Sequence, residues 1–362
     1  MLKKIHLIFI LLSLISCIRE PTAPEQKLLP SKSSSAIILC EGLWGYNNST
    51  IDKYILDDGI VYNNFFSLSN PGLVLGDIAN SITLKGDTAY VAVTGSNSIE
   101  ILNINNGKSY GRIKLDGNLG PRNLFILNDT LAFFTCIFEN SIRVFNPSSF
   151  KLTEKKMILG PAPEGLAGYE AYLFVANSGY GDYFSDHPKS STISVIDAFS
   201  FEEKLTLKTG SNPIKIICNP RTKKFYVSFK HLPSKKDSIG GLIEYDINSM
   251  KEVRNWRFKI NDFCLDINEN ICYAIDSDGI LKIDLNSLQA QPGRFITNPK
   301  ISDIWYSIAY YEFDKTLWIG NAKNYQINGE ILIYDFLSPD KPQKKFSCGL
   351  NPNTIIFQKI NK

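Results

Sequence analysis

Apolar and polar residues alternate along this chain in short paired runs, and the pairs recur. Each pair is an apolar run, a turn rich in Asn, Asp or Gly, and a second alternating run that often ends in Asp. The clearest copies are Tyr90-Val-Ala-Val93 before Ile99-Glu-Ile-Leu102, Leu173-Phe-Val-Ala-Asn177 before Ile193-Ser-Val-Ile-Asp197, and Phe225-Tyr-Val227 before Leu242-Ile-Glu-Tyr-Asp246. Further copies join Leu131-Ala-Phe-Phe134 to Ile142-Arg-Val-Phe145, Cys272-Tyr-Ala-Ile275 to Leu281-Lys-Ile-Asp284, and Leu317-Trp-Ile-Gly320 to Ile331-Leu-Ile-Tyr-Asp335. The seventh is Ile37-Ile-Leu39 with Ile51-Asp-Lys-Tyr54. Alternating runs bounded by turn residues predict β-strands. From Tyr90 through Ala132, Phe174, Tyr226 and Tyr273 to Trp318 the steps are 42, 42, 52, 47 and 45 residues. A repeat of about 40–50 residues holding four short strands is the signature of a propeller blade. The fold class is therefore all-β, a seven-bladed β-propeller.

Naming the strands of a blade A to D from the inside outward, blade two is predicted at 77–84, 88–94, 98–103 and 109–115. The first repeat lacks an A strand: it begins with a B-like run at 36–41. The missing strand is found at the other end, at 353–357, so the C-terminal strand is expected to pair with the first blade. Such closure hides the edges that would otherwise template aggregation. No stretch after residue 20 sustains a 3.6-residue apolar period, so no long helix is predicted. One ring accounts for the length, with 44% hydrophobic and 12% aromatic residues to fill its cores.

The N-terminus reads as an address. Met1-Leu-Lys-Lys4 is a basic flank, residues 7–15 form an apolar run too short to span a bilayer, and Leu14-Ile-Ser-Cys17 places a small residue before cysteine. That order resembles the bacterial lipobox, which implies lipidation of Cys17. Residues 1–16 are thus expected to be a lipoprotein signal peptide, 17–35 a lipidated Cys and flexible tether rich in Pro, Ser, Lys and Glu, and 36–362 the propeller. Without residues 1–16 the chain has 37 basic and 36 acidic residues, which excludes the basic footprint of a nucleic-acid binder. A monomer touching the membrane only through its lipid is expected.

The chemistry on offer is limited. Beyond His6 the only histidines are His187 and His231, and no HExxH pair, Cys/His cluster or CxxC spacing suggests a metal. Gly179-Tyr-Gly181 lacks the strand-to-helix context of a phosphate cradle, and Asp276-Ser-Asp278-Gly279 fits a tight turn better than a calcium loop. No cofactor is expected. Cys40, Cys136, Cys218, Cys264, Cys272 and Cys348 mostly fall in predicted strands, where cysteine behaves as a small buried hydrophobe. Cys264 and Cys272 flank the Asn268-Glu-Asn270 turn symmetrically, so two free thiols or a cross-hairpin disulfide are both open.

Loop lengths say more. The A–B links are short, whereas the B–C loops at 42–50, 178–190, 230–240 and 321–328 are long, and long loops on an economical scaffold carry function. They bear Trp44, Tyr46, Tyr180, Tyr183, Phe184, His187, His231 and Tyr325, and Trp305 and Tyr306 begin an A strand at the same face. Rings interleaved with Asn and Gly suit a large, partly apolar ligand that also needs hydrogen bonds. The candidate ligand-binding set is Trp44, Tyr46, Tyr183, Phe184, Trp305, Tyr306 and Tyr325, with Asn47, Asn48, Arg122 and Glu164 as polar contacts.

Tyr90-Val-Ala-Val93, Leu173-Phe-Val-Ala-Asn177 and Ile193-Ser-Val-Ile-Asp197, with the loops Gly120-Pro-Arg-Asn123, Pro163-Glu-Gly165, Ser211-Asn-Pro213 and Asn351-Pro-Asn353, resemble the bacterial YVTN-type propeller family. A narrower likeness is carried by Glu41-Gly-Leu-Trp-Gly-Tyr-Asn-Asn-Ser-Thr50, Val61-Tyr-Asn-Asn-Phe65 and Leu75-Gly-Asp-Ile-Ala-Asn-Ser81. These are similar to the opening of Bacteroidetes propeller lipoproteins that include surface cobalamin-binding proteins. The resemblance implies an outer-membrane lipoprotein, on the surface or the periplasmic face, that captures a corrinoid-like ligand beside an outer-membrane transporter. Two alternatives stay open. One is a lactonase- or lyase-like propeller enzyme drawing on Glu164, Asp77, Asp262, Asp303, His187 and His231; the other is an envelope interaction scaffold.

Overall fold

A computed structural model describes residues 33–287 and 291–359. They form seven four-stranded antiparallel sheets, the seven blades of a propeller. The expected signal peptide, Cys17 and the expected tether up to residue 32 lie outside the described residues. The first strand, Ser33–Cys40, begins three residues before the expected boundary.

The closing strand is Pro352–Lys359. It pairs antiparallel with Ser33–Cys40, with Ile356 opposite Ile37 and Thr354 opposite Leu39, and is innermost in blade one. Alternation along each strand explains the packing. Ile37 and Leu39 enter the core shared with blade two, while Ala36, Ile38 and Cys40 enter the core shared with blade seven. Each pair of neighbouring blades encloses one such cluster, and the described residues form seven. Middle strands are covered on both faces, so Tyr172–Asn177 is buried almost throughout. The outermost strand of the same blade, Glu202–Lys208, alternates exposed and half-buried positions because one face meets solvent. The only helix among the described residues is Phe65–Ser69, a single turn or so that tucks Phe65 and Phe66 inward.

Register also settles the hairpin cysteines. Cys264 pairs with Tyr273 and Leu265 with Cys272, a one-residue offset. Successive side chains in a strand point to opposite faces, so Cys264 lies in the core toward blade seven and Cys272 in the core toward blade five. A disulfide between them is excluded by that geometry.

Candidate functional site

Six of the seven A strands are entered through the same clamp. A carbonyl just before the strand accepts a hydrogen bond from the residue that leaves the B strand: Thr94 to Ile78 (2.8 Å), Ile137 to Gly120 (3.0 Å), Ser178 to Ala162 (3.1 Å), Lys230 to Asn212 (3.1 Å), Ala322 to Ile304 (2.8 Å) and Glu41 to Asn351 (2.9 Å). Several of these clamps turn through a left-handed backbone, with Ile78 at φ 55° and Ala162 at φ 48°. A β-branched residue rarely adopts that conformation, at a cost of about 1–3 kcal/mol, so the clamp holds the strand mouth in a fixed position.

The next residue, often proline, turns outward, and the one after it turns into the axis of the ring. Asn80, Arg122, Glu164, Ile214, Tyr306 and Asn353 hold this position in six blades, with Asn261 supplying the seventh wall. Together with the following residues, among them Ser81, Asn123, Lys215 and Asp262, they line one central cavity of about 480 Å³. In blade four the following residue is Gly165, where a Cβ would lie 2.4 Å from the Ile214 carbonyl oxygen. No side chain fits there.

The cavity wall is polar and mutually braced. Arg122 meets Glu164 at 3.4 Å, and Lys215 Nζ donates to Asp262 Oδ1 at 2.7 Å while Asp262 Oδ2 accepts from the Ile308 amide at 3.0 Å. Glu41, beside the clamp of blade one, accepts from the Tyr306 hydroxyl at 2.7 Å and from Asn80 Nδ2 at 2.6 Å. Burial opposes the Arg122 charge, but Glu164, Glu41 and Tyr306 outweigh it and hold the guanidinium above its ordinary value. Burial, and after it the Glu41 charge, push the Tyr306 phenol well above its usual range. It therefore stays protonated and donates. Asn353 donates to the Ala79 carbonyl at 3.0 Å, while its buried side-chain oxygen has no partner.

Beside this mouth lies a second, less polar cavity of about 380 Å³, lined by Phe138, Tyr180, Tyr183 and Phe184 with Asn118 and Asn140 at its edge. Tyr180 borders both cavities. Tyr183 and Phe184 contact edge to face at 4.6 Å, and Trp44 meets Phe138 the same way at 6.4 Å. The loops that carry these rings are pinned. Asp77 accepts from the Gly45 amide at 2.9 Å and from the Asn47 amide at 3.3 Å, and Asp182 accepts from the Ser234 amide at 3.0 Å.

Arg122, Glu164 and Tyr306 thus meet at the channel, Tyr325 packs on Tyr306 at 5.5 Å, and Tyr183 and Phe184 form the aromatic cavity. Trp44, Tyr46 and Asn47 stand exposed on their loop. Two residues differ from expectation. Trp305 is 1% exposed and packs against Tyr334 in the core between blades six and seven, so it offers no ring to a ligand. It takes the outward position that proline fills in other blades, since its pairing with Asn321 is followed by the register shift that also follows Pro163 and Pro213. Asn48 accepts from the Leu43 amide at 2.8 Å and braces its own turn. Of the acidic and histidine pool, Glu164 and Asp262 line the channel, Asp77 pins the Trp44 loop, Asp303 pairs with Lys300 and Asn321, and His187 accepts from the Lys189 amide. Glu41, Asn80, Lys215, Asn261 and Asn353 escaped the sequence reading. For Asn353 the signal is its place directly after the strand-opening Pro352, since a strand's alternation sends that residue to the axis; Glu41, Asn80, Lys215 and Asn261 directly follow no proline and carry no such mark.

No protein-family profile and no curated protein matches the chain. Solved structures do. The chain is similar to a quinoprotein alcohol dehydrogenase-like protein from Bacteroides thetaiotaomicron, at 16% identity and TM-score 0.68 over 90% of this chain and 78% of that one. It is similar to a putative 6-phosphogluconolactonase from Bacteroides uniformis, at 10% identity and TM-score 0.65 over 90% and 99%. It is also similar to hydrazine synthase of Kuenenia stuttgartiensis, at 15% identity and TM-score 0.62 over 78% and 92%. At these identities the likeness is one of fold: the chain is a β-propeller.

Proposed function

We propose that this propeller is a lipid-anchored binding protein of the bacterial cell envelope, of the YVTN-type lipoprotein group, that holds a ligand over its B–C face. The observation that carries this reading is the convergence of all seven innermost strands on one polar cavity flanked by exposed rings from several blades. Clustered exposed rings beside a concavity favour a bound partner over bulk water. The ligand class is a corrinoid-like macrocycle bearing amide arms. A cavity of about 480 Å³ is too small to enclose such a molecule, so the ring would lie across the mouth with its arms toward Arg122, Asn80 and Asn353. Delivery to an outer-membrane transporter would follow.

Titrating full-length protein with cyanocobalamin in a calorimeter tests the ligand. Well-placed rings contribute about 0.5–1.5 kcal/mol each beyond area burial. Trp44→Ala with Tyr183→Ala is therefore expected to weaken binding about tenfold or more. No heat with cobalamin would reject the corrinoid class, and an affinity indifferent to both substitutions would reject this face.

The anchor has its own test. Cys17→Ser is expected to move the protein from the membrane pellet to the soluble fraction, and unchanged pelleting would reject lipidation at Cys17.

A further inference from the structure

Cys348 stands in the segment just before the closing strand, and Cys40 ends the strand against which it closes. Both are buried, at 2% and 0% exposure, in the core between blades seven and one. Their sulfurs and a carboxylate oxygen of Asp52 all lie within 4.8 Å of one another. The Cys40 thiol donates to Asp52 Oδ2 at 4.0 Å. Backbone around Cys348 is pressed onto Cys40: a Cβ at Gly349 would fall 2.9 Å from Cys40 Cβ and 3.1 Å from its sulfur. The Asp52 carboxylate already accepts from the amides of Asn64 (2.7 Å) and Gly349 (2.8 Å) and from Asn63 Nδ2 (3.2 Å). Those donors fill most of the acceptor capacity that a metal ion would use, which leaves a facing thiol pair beside a base. The other described cysteines form no such pair. Cys264 and Cys272 face opposite cores, and Cys136 and Cys218 stand in separate blades.

We propose that Cys40 and Cys348 form a disulfide that locks blade seven to blade one at the seam of the ring. The reaction is thiol–disulfide exchange with a disulfide oxidant, a small-molecule or protein disulfide of an oxidising compartment. Before the closing strand docks, Cys348 is accessible. Its thiolate attacks one oxidant sulfur, forming a mixed disulfide and releasing the first oxidant thiol. Docking then brings Cys40 alongside, and Asp52 takes its thiol proton. The Cys40 thiolate attacks the Cys348 sulfur and expels the second oxidant thiol. Two protein thiols lose two electrons and two protons, and the oxidant disulfide becomes two thiols. Burial raises the Cys40 thiol well above its usual range once the ring is shut, so the exchange belongs to the docking step. The bond would span a loop of about 300 residues, and long loops constrain the unfolded chain most. It would also tether the backbone that carries Glu41 to the channel, since the amides of Glu41 and Gly42 donate to Asn351 and Leu350.

The test is a peptide map of full-length protein exported to an oxidising compartment. The protein is quenched in acid, denatured, alkylated with N-ethylmaleimide and digested without reductant. The expected result is a linked pair of peptides containing Cys40 and Cys348 that separates on reduction, with Cys136, Cys218, Cys264 and Cys272 alkylated. Dithiothreitol is expected to lower the melting temperature by about 5 °C, and Cys348→Ser is expected to remove that sensitivity. Adducts on both Cys40 and Cys348, in exported protein and again after refolding with oxidised glutathione, would overturn the proposal. One zinc ion per chain released together with both thiols would overturn it equally. The map is made on the unaltered chain, so it decides the matter even where the variant does not fold.

Discussion

Deleting residues 350–362 is expected to abolish the cooperative melting transition, or to lower it by more than about 20 °C. The deletion removes the innermost strand of blade one, whose side chains serve both flanking cores. Ile356 packs toward blade two, while Ile355 and Phe357 pack toward blade seven, where Phe357 stacks on Tyr311 at 4.6 Å and meets Trp318 at 5.4 Å. Full burial of such a side chain is worth about 1.5–3 kcal/mol; Ile355 is buried, Ile356 and Phe357 are half-buried, and the ladder hydrogen bonds of the strand add to their contribution. Together these are a large share of the whole net stability of an ordinary domain, about 5–15 kcal/mol. The truncation also bares Ser33–Cys40 as an unpaired edge, so aggregation should accompany the loss. Scanning calorimetry with light scattering reads both effects. A truncated chain that melts within a few degrees of the full-length one would mean that another strand closes the ring.

Trp305→Ala is expected to destabilise the fold by about 3–5 kcal/mol, the range for emptying a large buried ring, and to leave ligand affinity in the folded fraction unchanged within about twofold. The ring is wholly enclosed and contacts Tyr334 at 5.7 Å. Trp44→Ala should do the reverse. Trp44 is 63% exposed, so its removal should shift the melting temperature by only about 1–2 °C while acting on binding. Thermal unfolding beside calorimetric titration separates the two. A Trp305→Ala protein with normal melting and weakened binding would return Trp305 to the binding face.

The blades were legible in the sequence because a half-buried strand writes its burial directly as alternation. The missing first A strand likewise pointed to the C-terminal segment as its replacement. What stayed hidden depends on register, which no single strand encodes. Cys264 and Cys272 look symmetric about their turn, yet a one-residue offset sends them to different cores. Trp305 looks like a rim aromatic until the irregular step between Trp305 and Ser307 shows that it occupies a proline's outward position. Arg122 and Glu164 stand out because each is a charged residue directly after a strand-opening proline. Asn80 and Asn353 are neutral amides and Lys215 lies two positions beyond its proline, so their place at the axis emerges only when seven strands are set side by side. Glu41 was read as part of a motif, and its role as acceptor for Tyr306 and Asn80 needed contacts across the whole ring.

The clamps at the strand mouths separate two properties that many folds tie together. The backbone of six of the seven A strands is fixed by a carbonyl clamp and by outward-facing residues, while the side chain two positions on turns to the axis. Those axial positions form one ring of side chains around one opening, braced to each other rather than to the sheet-to-sheet cores. Asn80, Ile214 and Asn353 belong to none of the sheet-to-sheet cores, so exchanging them is expected to alter the hydrogen bonds at the opening more than the packing between blades. A ring built this way can change the polarity of its opening by single substitutions while its stability stays in the hands of other residues.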